Sequence, residues 1–283
     1  MKKNKIYILT LTLISVGLSS CLKEFNPKSY APPLSIDGFT SSGAIEKDAL
    51  VGYYAFNGSL VDSVSGTAGI NTGTTFAKGE VGQALQGAAN AYVLAAPSDK
   101  VKSIQSFTIS EWVNTPPPGP GIIGIFSLAN TTQFWGNIDV FFENGSSNTN
   151  GMFRLHIDSA GNDFTYSVNN VLNLFGKWTN LTYTYDASAT SNACSLYVNG
   201  SKVNSGEALN GSKPLRGNLS FPDIGNLVFG CVQFQTNPSQ TTSTGSQSWA
   251  FYNVGQTDEV RVYNKVLTPA EISAVVALQG RGK

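Results

Sequence analysis

Apolar and polar residues alternate along several short segments of this chain. The alternation has a period of two, which is the pattern of a β-strand because successive side chains on a strand point to opposite faces. Gly, Asn, Ser and Thr, which are common in turns, separate these segments. Strands are predicted over residues 50–56, 107–113, 138–143, 153–158, 178–185, 194–198, 227–232 and 259–263. Many short strands with turns between them predict an all-β domain built as a sandwich of two antiparallel sheets.

The C-terminal end of the chain carries a helix signal instead. Thr268 is suited to the N-cap, Pro269 to the first helical position, and Glu271 completes a capping box. We expect a short helix that ends near Leu278 and covers one end of the sandwich.

Two of the predicted strands define a sheet face with an unusual mixture of side chains. If residues 145–151 close a regular hairpin, Phe141 lies opposite Arg154 and Asp139 lies opposite His156. Hydrogen-bonding groups beside an aromatic ring are suited to bind a sugar. The alternative interpretation is an ordinary sheet face that is exposed to solvent and has no ligand. The face is expected to carry Asp139, Phe141, Glu143, Arg154, His156 and Asp158, with Ser167 on the next strand.

Aromatic residues near predicted loop ends extend this hypothesis. Trp135, Trp249, Phe251 and Tyr252 are the ones that we expect to stack on a sugar if they are exposed, and to be core residues if they are buried. Trp249 and Tyr252 follow a long polar insertion at residues 233–248.

The first 20 residues have the parts of an export signal. Lys2, Lys3 and Lys5 precede an apolar run, Ile6–Leu18, that is shorter than the roughly 20 residues of a membrane-spanning helix. The run ends in Leu-Ser-Ser-Cys, which resembles the bacterial lipobox, and the alternative is an ordinary signal with a chance cysteine. We therefore predict a signal peptide at residues 1–20 and a lipidated Cys21. The expected product is a membrane-anchored lipoprotein of a bacterial cell envelope, in the outer membrane and either periplasmic or surface-exposed.

Composition refines the expected partners. Residues 21–48 contain Pro27, Pro32 and Pro33 and show little periodicity, which predicts a tether before a domain at residues 49–283. Removal of residues 1–20 would leave a net charge of about −3, and the sequence has no basic cluster. This argues against nucleic acid and anionic lipid surfaces as partners, so the membrane contact is expected through the anchor alone.

Six segments, taken in order, resemble the laminin-G-like branch of the concanavalin A-like lectin/glucanase superfamily. They are LVGYYAFNGSLVD (50–62), GQAL (82–85), SFTISEW (106–112), WTNLTYTYD (178–186), LYVNG (196–200), and TDEVRVYN with LTPAEI (257–272). The resemblance implies a jelly-roll of two curved antiparallel sheets. Two features depart from the family pattern, namely Glu111 in a strand and the insertion at residues 233–248.

The resemblance leaves the function open, because a fold does not by itself define an activity. Members of this superfamily include glycan-binding modules, adhesion modules and glycoside hydrolases. Our first hypothesis is a non-catalytic lipoprotein that binds a poly- or oligosaccharide near the cell surface. The alternatives are a glycoside hydrolase with an unrecognised carboxylate pair, and an adhesion module for protein partners of a glycan-uptake or adhesion system.

Carboxylate spacing weakens the hydrolase hypothesis. Asp139 and Glu143 share one strand face but lie roughly 13 Å apart, at about 3.3 Å per residue. Retaining pairs need about 5–5.5 Å and inverting pairs about 6.5–9.5 Å. A pair from different strands, such as Glu111 with Asp139, remains open, and no catalytic residue is assigned.

Two further sites follow from pairing the predicted strands. Antiparallel pairing of the first and last strands brings Asp258 towards Asn57 and Asp62, and the resemblance implies a structural Ca²⁺ held there by carboxylates and carbonyl groups. Asp62 also suits a plain turn. Cys194 and Cys231 lie in predicted strands of an exported domain, where they form either a disulfide or two buried thiols.

Overall fold

A computed structural model describes residues 35–145, 147–191, 193–209 and 213–283. The predicted signal peptide, Cys21 and the tether up to residue 34 lie outside this range. In the described ranges no helix is long and apolar enough to cross a lipid bilayer.

The chain order of elements is dominated by short strands. The helices are α1 (Asp99–Lys102) and α2 (Pro269–Gln279). The strands are β1 (Leu50–Tyr54), β2 (Ile70–Thr72), β3 (Thr75–Lys78), β4 (Gln83–Gln86), β5 (Tyr92–Ala95), β6 (Phe107–Asn114), β7 (Ile122–Asn130), β8 (Ile138–Asn144), β9 (Gly151–Ser159), β10 (Asn162–Val171), β11 (Thr179–Tyr185), β12 (Cys194–Val198), β13 (Ser201–Val203), β14 (Glu207–Ala208), β15 (Ile224–Phe229), β16 (Ala250–Tyr252) and β17 (Gln256–Tyr263).

These strands form two sheets, as the alternation predicts. The first sheet has the order β13-β12-β11-β6-β17-β4-β3, and β1 also pairs with β17. The second sheet has the order β14-β10-β9-β8-β7-β15-β5-β2. Neighbouring strands are antiparallel, except that β16 pairs in parallel with β7. The all-β sandwich is therefore confirmed.

The core lies between the two sheets. Val140 and Phe142 of β8 and Phe153 and Leu155 of β9 reach it from the second sheet, and Tyr183 of β11 from the first. The strand period of two sends their neighbours outwards, to the face of the second sheet that points away from the core. The β8–β9 register is the predicted one, with Asp139 paired to His156 and Phe141 to Arg154.

The capping box of α2 is present as predicted. Thr268 Oγ1 accepts the Glu271 N–H at 3.3 Å, and a Glu271 carboxylate oxygen accepts the Thr268 N–H at 2.7 Å. The helix ends at Gln279 and packs through Ile272 and Leu278 on the outer face of the first sheet. It therefore covers that face rather than an end of the sandwich, which corrects the expected position.

The folded unit also begins earlier than the predicted boundary at residue 49. Ser42 and Ile45 are buried, and Ile45 packs against α2 and Tyr263. Ser42 Oγ donates to the Lys283 carbonyl at 2.7 Å. Residues 36–48 thus belong to the folded unit, which corrects their assignment to the tether. Low periodicity hid this role because the segment forms 3₁₀ turns, at residues 42–44 and 47–49, rather than a strand or a long helix.

Candidate functional site

The outer face of the second sheet carries the predicted polar residues together. We call this set the polar face: Asp139, Phe141, Glu143, Arg154, His156, Asp158 and Ser167. Ser167 of β10 pairs with Arg154, as expected for the next strand. The face is not the open surface that the sequence predicted, since Asp139 is 0% and His156 2% exposed.

Aromatic side chains from two loops cover the polar face. The aromatic cover consists of Phe134 and Trp135 before β8, and Phe234 and Trp249 at the two ends of the insertion. Trp135 stacks on Phe141, with ring centroids 5.0 Å apart and an interplanar angle of 9°. Phe134 and Trp249 both contact Phe234. The strand pattern could not show this burial, because the cover comes from loops and because Phe234 and Trp249 lie far from β8 and β9 in the sequence.

Several hydrogen bonds fix the insertion to the sheet, and Gln233 makes three of them. The Gln233 Nε2 donates to the carbonyls of Gln133 and Phe134 at 2.8 and 3.0 Å, and its Oε1 accepts the Asn130 N–H at 2.6 Å. Gln233 is fully buried, so these bonds are made away from water and replace the hydration that its amide loses. The insertion is therefore held directly over the strands of the polar face.

One edge of the polar face stays in contact with solvent. Arg154 donates to Glu143 at 2.9 Å, to Asn169 at 2.9 Å and to Ser167. The Asn169 amide in turn donates to Glu207 at 2.7 Å. We call Glu143, Arg154, Asn169 and Glu207 the polar rim. The sequence pattern missed Asn169 and Glu207, because the strand expected at Ser167 was given no bounds and the two-residue β14 is too short to show a period.

His156 lies at the centre of the polar face in its neutral form. Burial lowers its pKa to about 3, because a charged imidazolium loses its hydration there. Nδ1 lies 3.0 Å from Thr165 Oγ1 and 3.4 Å from a carboxylate oxygen of Asp163. Nε2 has no partner among the described residues, and the Trp135 ring lies 5.4 Å from the imidazole ring. The unpaired Nε2 is a hydrogen-bonding group held behind the aromatic cover.

Asp139 closes the turn between β7 and β8. Its carboxylate accepts the Gly136 N–H at 2.6 Å and the hydroxyl of Ser127 on β7. Burial raises its pKa to about 6. Both contacts are local, so Asp139 positions the loop that carries Trp135.

Glu111 is not part of this site. Its side chain shares the core-facing side of β6 with Ile109 and Val113, and it is 0% exposed. The Tyr183 hydroxyl donates to one carboxyl oxygen at 3.1 Å, and burial raises the Glu111 pKa to about 8. Glu111 lies inside the sandwich while Asp139 points away from it, so the suggested pairing of these two carboxylates is wrong.

Asp158 and Asp163 are cross-strand neighbours on β9 and β10. The pKa of Asp163 is raised, first by burial and then by the Asp158 charge. Asp158 accepts the Gly161 N–H at 2.8 Å, which stabilises the β9–β10 turn. Asp163 extends into solvent beside His156, so it adds an exposed carboxylate to the edge of the polar face.

Tyr252 lies away from the polar face, on the opposite side of the insertion. Its ring stacks on Tyr92 of β5, with centroids 6.5 Å apart and an angle of 19°. The Tyr252 hydroxyl donates to the Gln235 carbonyl at 2.6 Å. Trp135 and Trp249 therefore meet the predicted polar residues, and Tyr252 does not.

The structure separates the three predicted calcium ligands. Asp62 folds back on its own turn, where it accepts the N–H groups of Tyr53, Val64 and Ser65. Asp258 and Asn57 instead both reach the β3–β4 loop: Asp258 Oδ2 accepts from Val81 N at 2.9 Å and Asn57 Oδ1 from Gln83 N at 2.6 Å.

The second oxygen of Asp258, Oδ1, is buried and has no partner among the described residues. Burial raises the Asp258 pKa to about 7. An unpaired buried carboxylate oxygen suits a hard cation. Asp258 and Asn57 both bond to the segment from Val81 to Gln83, whereas Asp62 does not.

The two cysteines are not bridged. Cys194 lies in β12 of the first sheet, while Cys231 follows β15 of the second sheet and packs with Tyr92 and Val228. Both are buried thiols, and burial raises the pKa of each. The disulfide alternative is therefore wrong, because the strands that carry the cysteines belong to different sheets.

Comparison with known families agrees with this architecture. A laminin G-like family model, described as Concanavalin A-like lectin/glucanases superfamily, matches residues 86–273, about two thirds of the chain. The chain belongs to this family. No curated protein sequence matches it significantly.

Solved structures with the same fold are distant in sequence. Domain 4 of AbnA, an extracellular arabinanase from Geobacillus stearothermophilus in complex with arabinotriose, is 18% identical, with a TM-score of 0.51, over 80% of this chain and 98% of that one. A Trypanosoma rangeli sialidase is 13% identical, with a TM-score of 0.54, over 82% and 33%. The botulinum neurotoxin serotype D binding domain is 11% identical, with a TM-score of 0.51, over 81% and 52%. At these identities the likeness shows the fold alone.

Proposed function

We propose that this chain is a non-catalytic, carbohydrate-binding lipoprotein of a bacterial cell envelope that holds a poly- or oligosaccharide near the cell surface. The binding surface is the polar rim together with the exposed part of the aromatic cover. The proposal rests mainly on Trp249, a residue that is 36% exposed although its ring packs on three other aromatic rings.

Trp249 and the polar rim offer two kinds of contact to a sugar. An exposed indole ring can pack on the C–H face of a pyranose or furanose ring. Glu143, Asn169 and Glu207 can exchange hydrogen bonds with hydroxyl groups, and each keeps solvent contact while Arg154 fixes the first two. Ordered polar groups lose little conformational entropy on binding, so the rim is preorganised for a ligand.

The carboxylates of the polar face favour binding over hydrolysis. Asp139 is committed to its turn, Asp158 supports a hairpin, and Glu143 is paired with Arg154. Glu111, which is not part of this face, lies inside the core. A hydrolase would instead need two carboxylates that flank one glycosidic bond. Asp163 beside Asp158 is the best remaining pair for that second hypothesis, and Asp163→Asn tests it.

Affinity gel electrophoresis against a panel of soluble polysaccharides tests the proposed function. We expect at least one polysaccharide to retard the protein, and Trp249→Ala to reduce the retardation. Reducing-end release from the same polymers is measured in parallel. Retardation without product supports binding, product that disappears in Asp163→Asn supports the hydrolase, and a protein that no polysaccharide retards contradicts the proposal.

A protein-binding adhesion module is the remaining alternative. It predicts that envelope proteins co-purify with the chain and that an excess of soluble polysaccharide does not displace them. Displacement by polysaccharide would instead favour the glycan hypothesis.

The proposal includes a lipid anchor at Cys21 and a structural Ca²⁺ at Asp258 and Asn57. The lipobox-like sequence supports the anchor, and metabolic labelling with a fatty acid, lost in Cys21→Ser, tests it. The unpaired Asp258 Oδ1 supports the cation, which would hold the β3–β4 loop against the last strand.

A further inference from the structure

The insertion at residues 233–248 divides the outer face of the second sheet into two parts. On one side lie the polar rim and the aromatic cover. On the other side a groove of about 580 Å³ opens between the insertion and strands β2 and β5. This volume lies within the roughly 300–1,000 Å³ of small-molecule sites. Its lining includes Thr72, Asn90, Tyr92, Asn237, Ser246 and Tyr252.

The rings of Tyr92 and Tyr252 form one side of this groove. Tyr92 OH donates to the Asn237 carbonyl and accepts the Asn237 N–H, both at 3.0 Å. Tyr252 OH is bonded to the Gln235 carbonyl. Because these hydroxyls are already paired with the insertion, the rings are fixed in place, and the half-buried Tyr252 ring presents its surface to the groove.

The exposed polar side chains of the groove are uncommitted. Within the part of the chain that the structure describes, the side chains of Thr72, Asn90, Asn237 and Ser246 make no hydrogen bond. They supply amide and hydroxyl groups that can both donate and accept. This is the set of groups that pairs with sugar hydroxyls, and it stands beside a fixed aromatic ring.

The groove is also uncharged. Its lining contains no Lys, Arg, His, Asp or Glu side chain. An acidic sugar would lose hydration there without gaining a cationic partner, which is unfavourable for a buried charge. A neutral sugar has no such cost.

We propose that this groove is a second carbohydrate subsite, selective for uncharged oligosaccharides. The inference rests on the proposed function, which it deepens by naming the class of ligand and a second place of contact. It also assigns a role to the insertion, whose residues form one wall of the groove.

Isothermal titration of the protein tests the subsite with paired probes. Arabinotriose, cellotriose and lactose are the neutral oligosaccharides, and sialyllactose is the acidic counterpart of lactose. Ser246→Trp fills the groove, whereas Ser248→Trp places the same side chain on an exposed residue of the insertion that does not line it. Thermal unfolding checks that both variants fold.

At least one neutral probe is expected to bind the wild type, and lactose is expected to bind at least as tightly as sialyllactose. We expect Ser246→Trp to weaken that binding at least tenfold, and Ser248→Trp to change it less than twofold. Equal effects of the two variants, or tighter binding of sialyllactose, would overturn the subsite.

Trp249→Ala separates this inference from the proposed function. If Trp249→Ala abolishes binding of every neutral probe and Ser246→Trp has no effect, the groove is not a subsite and the polar rim is the binding surface. If Ser246→Trp alone abolishes binding, the groove stands and the polar rim does not. A wild-type protein that binds none of the probes and no polysaccharide overturns both.

Discussion

The two sheets of the sandwich bury charged residues on their outer faces in different ways. On the first sheet, the Glu259 carboxylate accepts from Tyr53 OH at 2.8 Å, from Arg261 at 3.1 Å and from Gln279 at 2.9 Å. Helix α2 and residues 36–49 close this cluster, and both Glu259 and Arg261 are buried. We call it the closed face.

On the second sheet, a buried charged side chain is paired with a partly exposed one. Arg154 is buried, but its partner Glu143 keeps a side chain that is 32% exposed. Both faces hold a buried unpaired nitrogen, His156 Nε2 here and Arg261 Nε on the closed face, but here the covering Trp249 remains partly in solvent. A buried ion pair therefore does not by itself identify a site. A cluster whose partners all come from the fold serves stability, whereas one that ends in solvent-exposed partners has groups left for a ligand.

Replacement of the buried arginine by methionine on each face should give the largest difference in stability between the two faces. Arg261→Met removes the buried partner of Glu259 and should lower the free energy of unfolding by about 3–5 kcal/mol, because a carboxylate is left uncompensated. Arg154→Met should cost about 1 kcal/mol, since Glu143 can be hydrated by solvent. Urea denaturation monitored by circular dichroism measures both. Equal losses would show that the two faces do not differ in this respect.

The next prediction concerns the pH dependence of stability and Glu111, which is buried in the core between the two sheets. Its pKa is about 8 in the folded protein and close to 4.5 in the unfolded chain, so the folded state binds the proton more tightly. Stability therefore falls as the pH rises from about 4.5 to 8 and is level above that range, with a slope of about 1.4 kcal/mol per pH unit from this group.

Glu111→Gln should remove this contribution to the slope. Unfolding free energies measured between pH 5 and 8 in wild type and variant give the comparison. Identical pH profiles would mean that the Glu111 carboxyl is ionised in the folded protein.

Thermal unfolding with and without Ca²⁺ tests the proposed calcium site at Asp258. At 100 times its dissociation constant, Ca²⁺ should stabilise the wild type by about 2.7 kcal/mol, seen as a higher Tm than in excess chelator. Asp258→Asn should abolish the shift. Asp62→Asn should lower the Tm but keep the response to Ca²⁺, because the Asp62 carboxylate closes its own turn. A shift that persists in Asp258→Asn contradicts the assigned ligand.

Trp249→Ala is expected to change binding rather than stability. Loss of the exposed ring should weaken polysaccharide affinity about tenfold, or about 1.4 kcal/mol. Leu172→Ala, at another exposed apolar side chain, is the control and should leave affinity unchanged. Affinity electrophoresis over a series of polysaccharide concentrations measures both dissociation constants, and equal values would remove Trp249 from the site.

Local patterns predicted local structure well. The alternation of β8 and β9 gave their register, and the Thr268–Glu271 capping box gave the start of α2, because each depends on residues close in sequence. Strand β7 was missed, since its run Ile122–Asn130 is buried along its whole length and shows no simple alternation.

The candidate site could be predicted only in part. Which residues share the polar face followed from the strand period, but its burial depends on contacts such as Gln233 with Asn130, which no periodic pattern records. For Glu111 the alternation was correct, because it places this residue on the core-facing side of β6. Only the charge of its side chain made it a candidate site residue. Tertiary contacts decided both outcomes.

Hydrogen exchange of backbone amides, with and without a bound polysaccharide, tests whether carbohydrate binds to the outer face of the second sheet, because exchange reports local opening at each segment. We predict slower exchange in residues 133–143, 152–169 and 233–252, and no change in residues 259–279. Protection confined to residues 36–54 and 259–279 would place the ligand on the closed face and contradict the account.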